Sequence, residues 1–187
     1  EGFEARALSI IGAGLRLVVG TTGVPEAAIK KAAAAAAKKK TGVLIAPNFA
    51  IGAVLMMKFA ALAAPYMPAV EIIELHHDRK LDAPSGTAIY TAQLIADAKK
   101  ELPPHADPTK TFKLPGARGG KLEDIAVHSV RLPGYIASQE VIFGGMGQTL
   151  SIRHDTISRE SFMPGVVLAV KRVMKLDKLV VGLENIL

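Results

Sequence analysis

Apolar positions along this chain fall into blocks whose spacing reads first as helix and strand in alternation and later as a run of strands. Residues 3–11 carry helical spacing and are stopped by Gly12 and Gly14. Residues 15–19 form an apolar strand with one charge, Arg16, and run into Gly20-Thr21-Thr22-Gly23. Pro25 and Glu26 open a helix, with the proline at a tolerated first-turn position and the acid near the positive end of the dipole. That helix continues through the alanine-rich residues 32–40, and Gly42 turns the chain into a second strand over 43–46. A strand, a helix and a buried strand within about thirty residues make a βαβ unit, whose strands are parallel and covered by helices. Ligands in such sheets lie beyond the carboxyl ends of the strands. Here those tips are Gly20-Thr21-Thr22 and Ala46-Pro47-Asn48-Phe49, which as residues fit a ligand-facing loop or a plain turn equally well.

From Ile51 the spacing changes. Residues 51–64 read as a helix of low charge packed on several sides and ended by Pro65 and Pro68. A strand over 69–75 follows, and Ser85 can cap a helix whose apolar face includes Ala88, Leu94, Ile95 and Ala98. Residues 102–120, rich in proline and lysine, read as a loop or flap. Strands over 125–132, 139–143 and 148–153 are separated by Pro133-Gly134 and by Gly144-Gly145-Met146-Gly147, the pattern of an antiparallel meander. Joined by residues 70–75 they make one sheet. Its second face, carrying residues such as Val127 and Ile142, is expected to be apolar and to associate with another subunit. A last helix over 160–175 and a strand or turn over 179–183 close the chain. The expected class is α/β: a partial Rossmann-like parallel sheet (residues 1–50 with 160–187) and a second α+β domain on a mixed or antiparallel sheet (residues 51–159).

Composition narrows the classes of function. Half of the 187 residues are hydrophobic and 21% are charged, enough for a sizeable core and against disorder. The absence of cysteine excludes disulfides, thiolate metal sites and a cysteine nucleophile, and fits a reducing compartment. No apolar run reaches the length of a membrane span, and Glu1, Glu4 and Arg6 interrupt any signal-peptide pattern. A cytoplasmic protein without a membrane partner is expected. The net charge of +6 suits nucleic acid or small acidic ligands, but with 5% aromatic residues and no tryptophan the stacking platforms of single-strand binders are poorly supplied. Lys38-Lys39-Lys40 reads as a solvated helix end whose cations complement the dipole.

The densest chemistry lies in residues 71–90, EIIELHHDRKLDAPSGTAIY. A helix start bearing Ser85, Gly86 and Thr87 offers free backbone N–H groups and hydroxyls, which suits a carboxylate or phosphate. His76, His77, Arg79 and Lys80 just upstream supply cations and proton donors. Histidine transfers protons near neutral pH, and a lysine among other cations can be brought into that range. The pair of histidines could equally be a metal site or surface residues. Adjacent strand residues point to opposite faces, however, so His76 and His77 are not expected to chelate one ion, and no metal is expected.

The run from His76 to Ala88, HHDRKLDAPSGTA, resembles the signature of the dihydrodipicolinate reductases, which are 4-hydroxy-tetrahydrodipicolinate reductases of lysine and diaminopimelate synthesis. Val19-Gly20-Thr21-Thr22-Gly23, Ala46-Pro47-Asn48-Phe49-Ala50-Ile51-Gly52, Leu132-Pro133-Gly134 and residues 143–165 resemble family segments in the same order. The resemblance implies His76 as catalytic acid/base and Lys80 as proton donor. It also implies His77, Gly86 and Thr87 as ligands of a dicarboxylate substrate, and suggests Arg159 as a further substrate-binding residue because it matches a family arginine near the interdomain cleft. Gly20, Thr21 and Thr22 with Ala46, Pro47, Asn48 and Phe49 would line the nicotinamide side of NADH or NADPH. The implied reaction delivers hydride to C4 of the cyclic substrate with loss of water, followed by protonation of the enamine; the implied assembly is a homotetramer.

One departure stands out. Gly12-Ala13-Gly14 has Leu17 where a G-x-G-x-x-G turn needs its third glycine, and the chain opens in mid-helix. An N-terminal part, roughly 60 residues or more if it held two βαβ units, is therefore expected to precede this sequence. A chain lacking it is expected neither to bind a dinucleotide nor to turn over. The alternatives are a related imino or amino acid reductase and a non-catalytic oligomeric binding subunit.

Overall fold

The computed structural model of the chain describes residues 2–21 and 23–187. Its elements in chain order are α1 (Phe3–Gly12), β1 (Leu17–Val19), α2 (Glu26–Lys39), β2 (Val43–Ile45), α3 (Ile51–Ala63), β3 (Ala69–His76), α4 (Gly86–Ala98), β4 (Gly120–Leu122), β5 (Ile125–Arg131), β6 (Ala137–Gly145), β7 (Gln148–Thr156), a 3-10 turn (Arg159–Phe162), α5 (Met163–Val173), β8 (Leu179–Val181) and a second 3-10 turn (Leu183–Asn185). They divide into two units. One comprises the residues up to Val54 together with Glu160–Leu187, the other Leu55–Arg159, so the division falls within α3.

The first unit holds a parallel sheet in the order β1-β2-β8. Strand β2 has neighbours on both sides, and Val43, Leu44 and Ile45 are all buried. On α2, Ala28, Ala32 and Ala36 recur every fourth residue and are buried, and Ala32, Ala36 and Ile11 form a core with Val43 and Ile45. Small side chains on that face let the helix lie close to the strands. The helix ends as its lysines predict: Lys38 and Lys39 occupy the last turn, and Lys40 is a left-handed cap with φ of 49°. Pro25 sits one residue earlier than its pattern predicts, as the N-cap rather than inside the first turn. A Cβ on Gly42 would fall 2.3 Å from the Val173 carbonyl oxygen, so this glycine allows the end of α5 to pass over the start of β2.

The second unit holds a five-stranded sheet in the order β4-β5-β3-β6-β7. The β6–β7 hairpin follows the sequence pattern, but β5 does not pair with β6 as a meander requires. Strand β3 lies between them, parallel to β5 and antiparallel to β6. The cause is α4. Together β3, α4 and β5 make a second βαβ unit, which places β5 beside β3 in parallel. The five residues 132–136 then step across the end of β3, a distance within reach of an extended segment at about 3.3 Å per residue. Short β4, which begins at the last residue of the expected flap, extends the sheet at the β5 edge.

Register assigns the two faces. Val70, Ile72 and Glu74 share one with Val127, Gln139, Val141 and Phe143, all buried. Thr91 of α4 joins that face through its hydroxyl, which accepts a hydrogen bond from Gln139 Nε2 at 2.8 Å. Val127 therefore belongs to the covered face and Ile142 to the opposite one, contrary to the expected grouping. The opposite face is also less apolar than expected. On it Glu71 accepts from His128 Nε2 at 2.7 Å and pairs with Arg118, and Glu140 pairs with Arg153 at 3.2 Å. Helix α3 likewise differs from the reading of burial on several sides. Ala53, Val54, Met56, Met57 and Ala60 are buried on one broad side, while Phe59 and Leu62 are exposed.

Candidate active site

Strand β3 alternates its side chains, and that alternation builds the site. Glu74 and His76 are two residues apart and so project to the same side of the sheet. Glu74 is fully buried. A buried carboxylate is costly unless its oxygens are satisfied, and donors from His76, Arg131, Ser85 and Ser129 do so. His76 Nδ1 lies 2.5 Å from Oε2, Arg131 donates through both terminal nitrogens at 2.8 Å, one to each oxygen, and the Ser85 N–H donates to Oε1 at 3.2 Å. Burial opposes ionisation of Glu74, but the hydrogen bonds from His76 and Arg131 outweigh it and hold the carboxyl down at about 2.

Arg131 closes β5, directly opposite His76 in the parallel ladder. Besides clamping Glu74, it donates to the Asp82 carbonyl oxygen at 2.8 Å, tying down the loop that follows His76. In that loop the Lys80 N–H donates to the His77 carbonyl at 3.2 Å, and Lys80 Nζ pairs with Asp82 Oδ1 at 2.7 Å. The Lys80 ammonium holds the Asp82 carboxyl below its ordinary value. Lys80 thus has a carboxylate as direct partner, where the sequence reading weighs its neighbouring cations. His77 lies just beyond the strand, and its Nδ1 is buried without a hydrogen-bond partner among the described residues.

Ser85 caps α4 as its sequence predicts, its Oγ accepting from the Ala88 N–H at 3.2 Å. Gly86 and Thr87 are the first two residues of the helix, where backbone N–H groups lack intrahelical acceptors. A Cβ on Gly86 would meet nothing within 4 Å. Glu74 therefore touches both His76 and Ser85, the residue that caps α4, while Arg131 cancels its charge. Arg159 is exposed at the start of the 3-10 turn and takes no part in this cluster.

In the first unit, Gly20 and Thr21 follow β1 and residues 46–49 follow β2, at adjacent carboxyl ends of the parallel sheet. The Ala46 N–H donates to the Val19 carbonyl at 2.9 Å, and Asn48 Oδ1 accepts from the Ala50 N–H at 2.8 Å, fixing the turn into α3. A Cβ on Gly20 would fall 2.9 Å from the Phe49 ring. Gly20 thus lets the Phe49 ring pack against the tip of β1, and the small residues at these two strand ends fit the nicotinamide end of a dinucleotide. Thr22 lies outside the described residues. Among the described residues no cluster of metal-ligating side chains occurs, and no helix is long and apolar enough to cross a membrane.

Glu74 and Arg131 are the site residues that sequence reasoning missed. The signal was available for Glu74: an acid inside an apolar run, in phase with His76. Arg131 could not be found in this way, because its position opposite His76 depends on β5 pairing with β3.

Comparison with known proteins agrees with this architecture. A family model described as "Dihydrodipicolinate reductase, C-terminus" matches residues 52–187. A 4-hydroxy-tetrahydrodipicolinate reductase of Halalkalibacterium halodurans is 60% identical over 174 residues, covering 93% of this chain and 66% of that protein. One of Bacillus subtilis is 58% identical over 174 residues, covering 93% and 65%. Among solved structures, dipicolinate-bound dihydrodipicolinate reductase from Paenisporosarcina sp. TG-14 superposes with a TM-score of 0.89 at 50% identity, covering 98% of this chain and 69% of that one. The chain thus spans just under two thirds of the length of these curated relatives.

Proposed function

The chain belongs to the dihydrodipicolinate reductase family, and on that premise we propose that it serves the reduction of 4-hydroxy-tetrahydrodipicolinate to tetrahydrodipicolinate by NADH or NADPH, in cytoplasmic lysine and diaminopimelate synthesis. The observation that carries the proposal is the meeting of a histidine and a helix start on one neutralised carboxylate: Glu74 holds His76 Nδ1 at 2.5 Å and the Ser85 N–H at 3.2 Å. A dicarboxylate can dock at the α4 terminus, through Gly86, Thr87 and His77, without meeting an unbalanced negative charge. His76 then serves as acid/base and Lys80 as proton donor to the enamine carbon, with Arg159 as a further carboxylate ligand. The nicotinamide supplies the hydride when bound. Gly20 and Thr21, with Ala46, Pro47, Asn48 and Phe49, would hold its ring, and Thr22 belongs to the same proposed set. Dipicolinate, bound in the Paenisporosarcina relative, is a planar dicarboxylate of the kind this helix end suits.

Two measurements test the proposal. Calorimetric titration with dipicolinate should give saturable binding that is weakened by His77→Ala. In a protein that includes the N-terminal part expected to precede this sequence, steady-state oxidation of NADH or NADPH with the hydroxylated substrate should fall by roughly 10²- to 10⁴-fold in His76→Ala and in Lys80→Ala, the usual contribution of a general acid or base. Turnover unchanged in His76→Ala would overturn the assignment. Dipicolinate binding without any coenzyme oxidation in that longer protein would favour a non-catalytic binding subunit.

A further inference from the structure

Acid/base work by an imidazole requires that one ring nitrogen be committed and the other be free. The surroundings of His76 meet that requirement through a residue with no direct contact to the proposed substrate groups. Glu74 sits beneath the ring, fully buried, with Oε2 2.5 Å from Nδ1. Arg131 grips both carboxylate oxygens at 2.8 Å and is anchored in turn to the Asp82 carbonyl. The bidentate grip fixes the plane of the carboxylate, and the Ser85 N–H on Oε1 limits its remaining freedom. A carboxylate engaged by a guanidinium in this way accepts hydrogen bonds and donates none, so Nδ1 must carry a hydrogen.

We infer that Glu74 is a positioning residue: its carboxylate, clamped by Arg131, fixes His76 as the Nδ1–H tautomer and leaves Nε2 as the nitrogen that exchanges a proton with substrate. The inference rests on the proposed role of His76 for its catalytic meaning, but the tautomer is a property of the chain alone. The same carboxylate sets the spacing of the other parts. Through Arg131 it holds the loop carrying Lys80, and through Ser85 it holds the first turn of α4, so proton donor, acid/base and anion cradle share one internal reference point.

Heteronuclear correlation spectra of the imidazole nitrogens, recorded on the full chain with the ring neutral, test the inference. His76→Asn identifies the His76 signals among the five histidines. The expected result is Nδ1–H in excess over Nε2–H by roughly tenfold or more, as the strength of a charge-assisted hydrogen bond implies. In Glu74→Gln the excess should collapse toward the mixture of a free imidazole. Because that variant strands Arg131 and could unfold, Glu74→Gln/Arg131→Met removes both charges together, a replacement that buried pairs tolerate. It should keep the native circular dichroism and lose the excess. Arg131→Lys, which keeps the carboxylate charged and paired, should preserve it. An Nδ1–H excess that persists in the folded double variant, or an Nε2–H ring in the unaltered chain, would overturn the inference. A chain that shows the tautomer but binds no dipicolinate would sink the reductase reading and leave the positioning role standing.

Discussion

Glu74 gives the second unit a specific sensitivity to acid. Its carboxyl lies at about 2 in the folded chain against an ordinary 4.5, because the hydrogen bonds from His76 and Arg131 overcome the opposing effect of burial. Folding therefore favours the ionised form. The resulting stabilisation is complete above about pH 4.5 and is lost as pH falls toward 2, and it amounts to something on the order of 3 kcal/mol. In urea denaturation across that window, Glu74→Gln/Arg131→Met should show an acid-dependent loss smaller by about this amount than the unaltered chain. Equal losses would mean that folding does not lower the Glu74 pKa. At this scale the sequence conveyed His76, His77 and Lys80 through residue type alone. It did not convey the partner of Lys80, because the ion pair with Asp82 depends on how the loop between β3 and α4 is tied down by an arginine from another strand.

Helix α4 separates what the fold needs from what a ligand needs. Ser85 is structural: its Oγ caps Ala88 and its N–H satisfies Glu74, so Ser85→Ala should cost about 1 kcal/mol of stability. Gly86 is different. Added bulk there meets nothing within 4 Å, and its φ is not one that L residues avoid, so the fold alone does not require glycine. Gly86→Ala should leave the melting temperature unchanged or slightly higher, given the better helix propensity of alanine, while weakening dipicolinate binding by tenfold or more. A variant that binds as tightly as the parent would remove Gly86 from the proposed substrate site. The helix itself was legible, since Ser85 announces its cap and the apolar face follows in period. The strands were legible one at a time, and the β6–β7 hairpin was legible from its glycines. The order of the sheet was not. Alternation fixes which residues share a face within a strand, but it carries no information about which strand is inserted between two others, and here α4 decides that.

For the whole molecule, the two units were visible in the sequence as a change of period near residue 50, and the parallel and mixed sheets follow that change. The expected apolar association face was not found in that form, because Val127 and Ile142 lie on opposite sides of the sheet. The exposed side instead carries Glu71, His128, Glu140 and Arg153 in ion pairs. A homotetramer built on this face would be held by matched charges as much as by apolar area, and its assembly would weaken with ionic strength. Sedimentation at micromolar concentration should give a tetramer at low salt that shifts toward smaller species in molar salt. A monomer at every salt concentration would count against the assembly.

The insertion of β3 between β5 and β6 also sets a timetable. During synthesis β3 emerges early, yet both of its ladders wait for segments that run from Ile125 to Gly145. Until these leave the ribosome, Glu74 has no arginine to neutralise it and an apolar strand has two open edges. The Glu74 cluster around His76 is therefore completed only once β5 and β6 have emerged, and a nascent or prematurely ended chain stopping before Arg131 would carry every residue of the HHDRK stretch without the clamp that positions it.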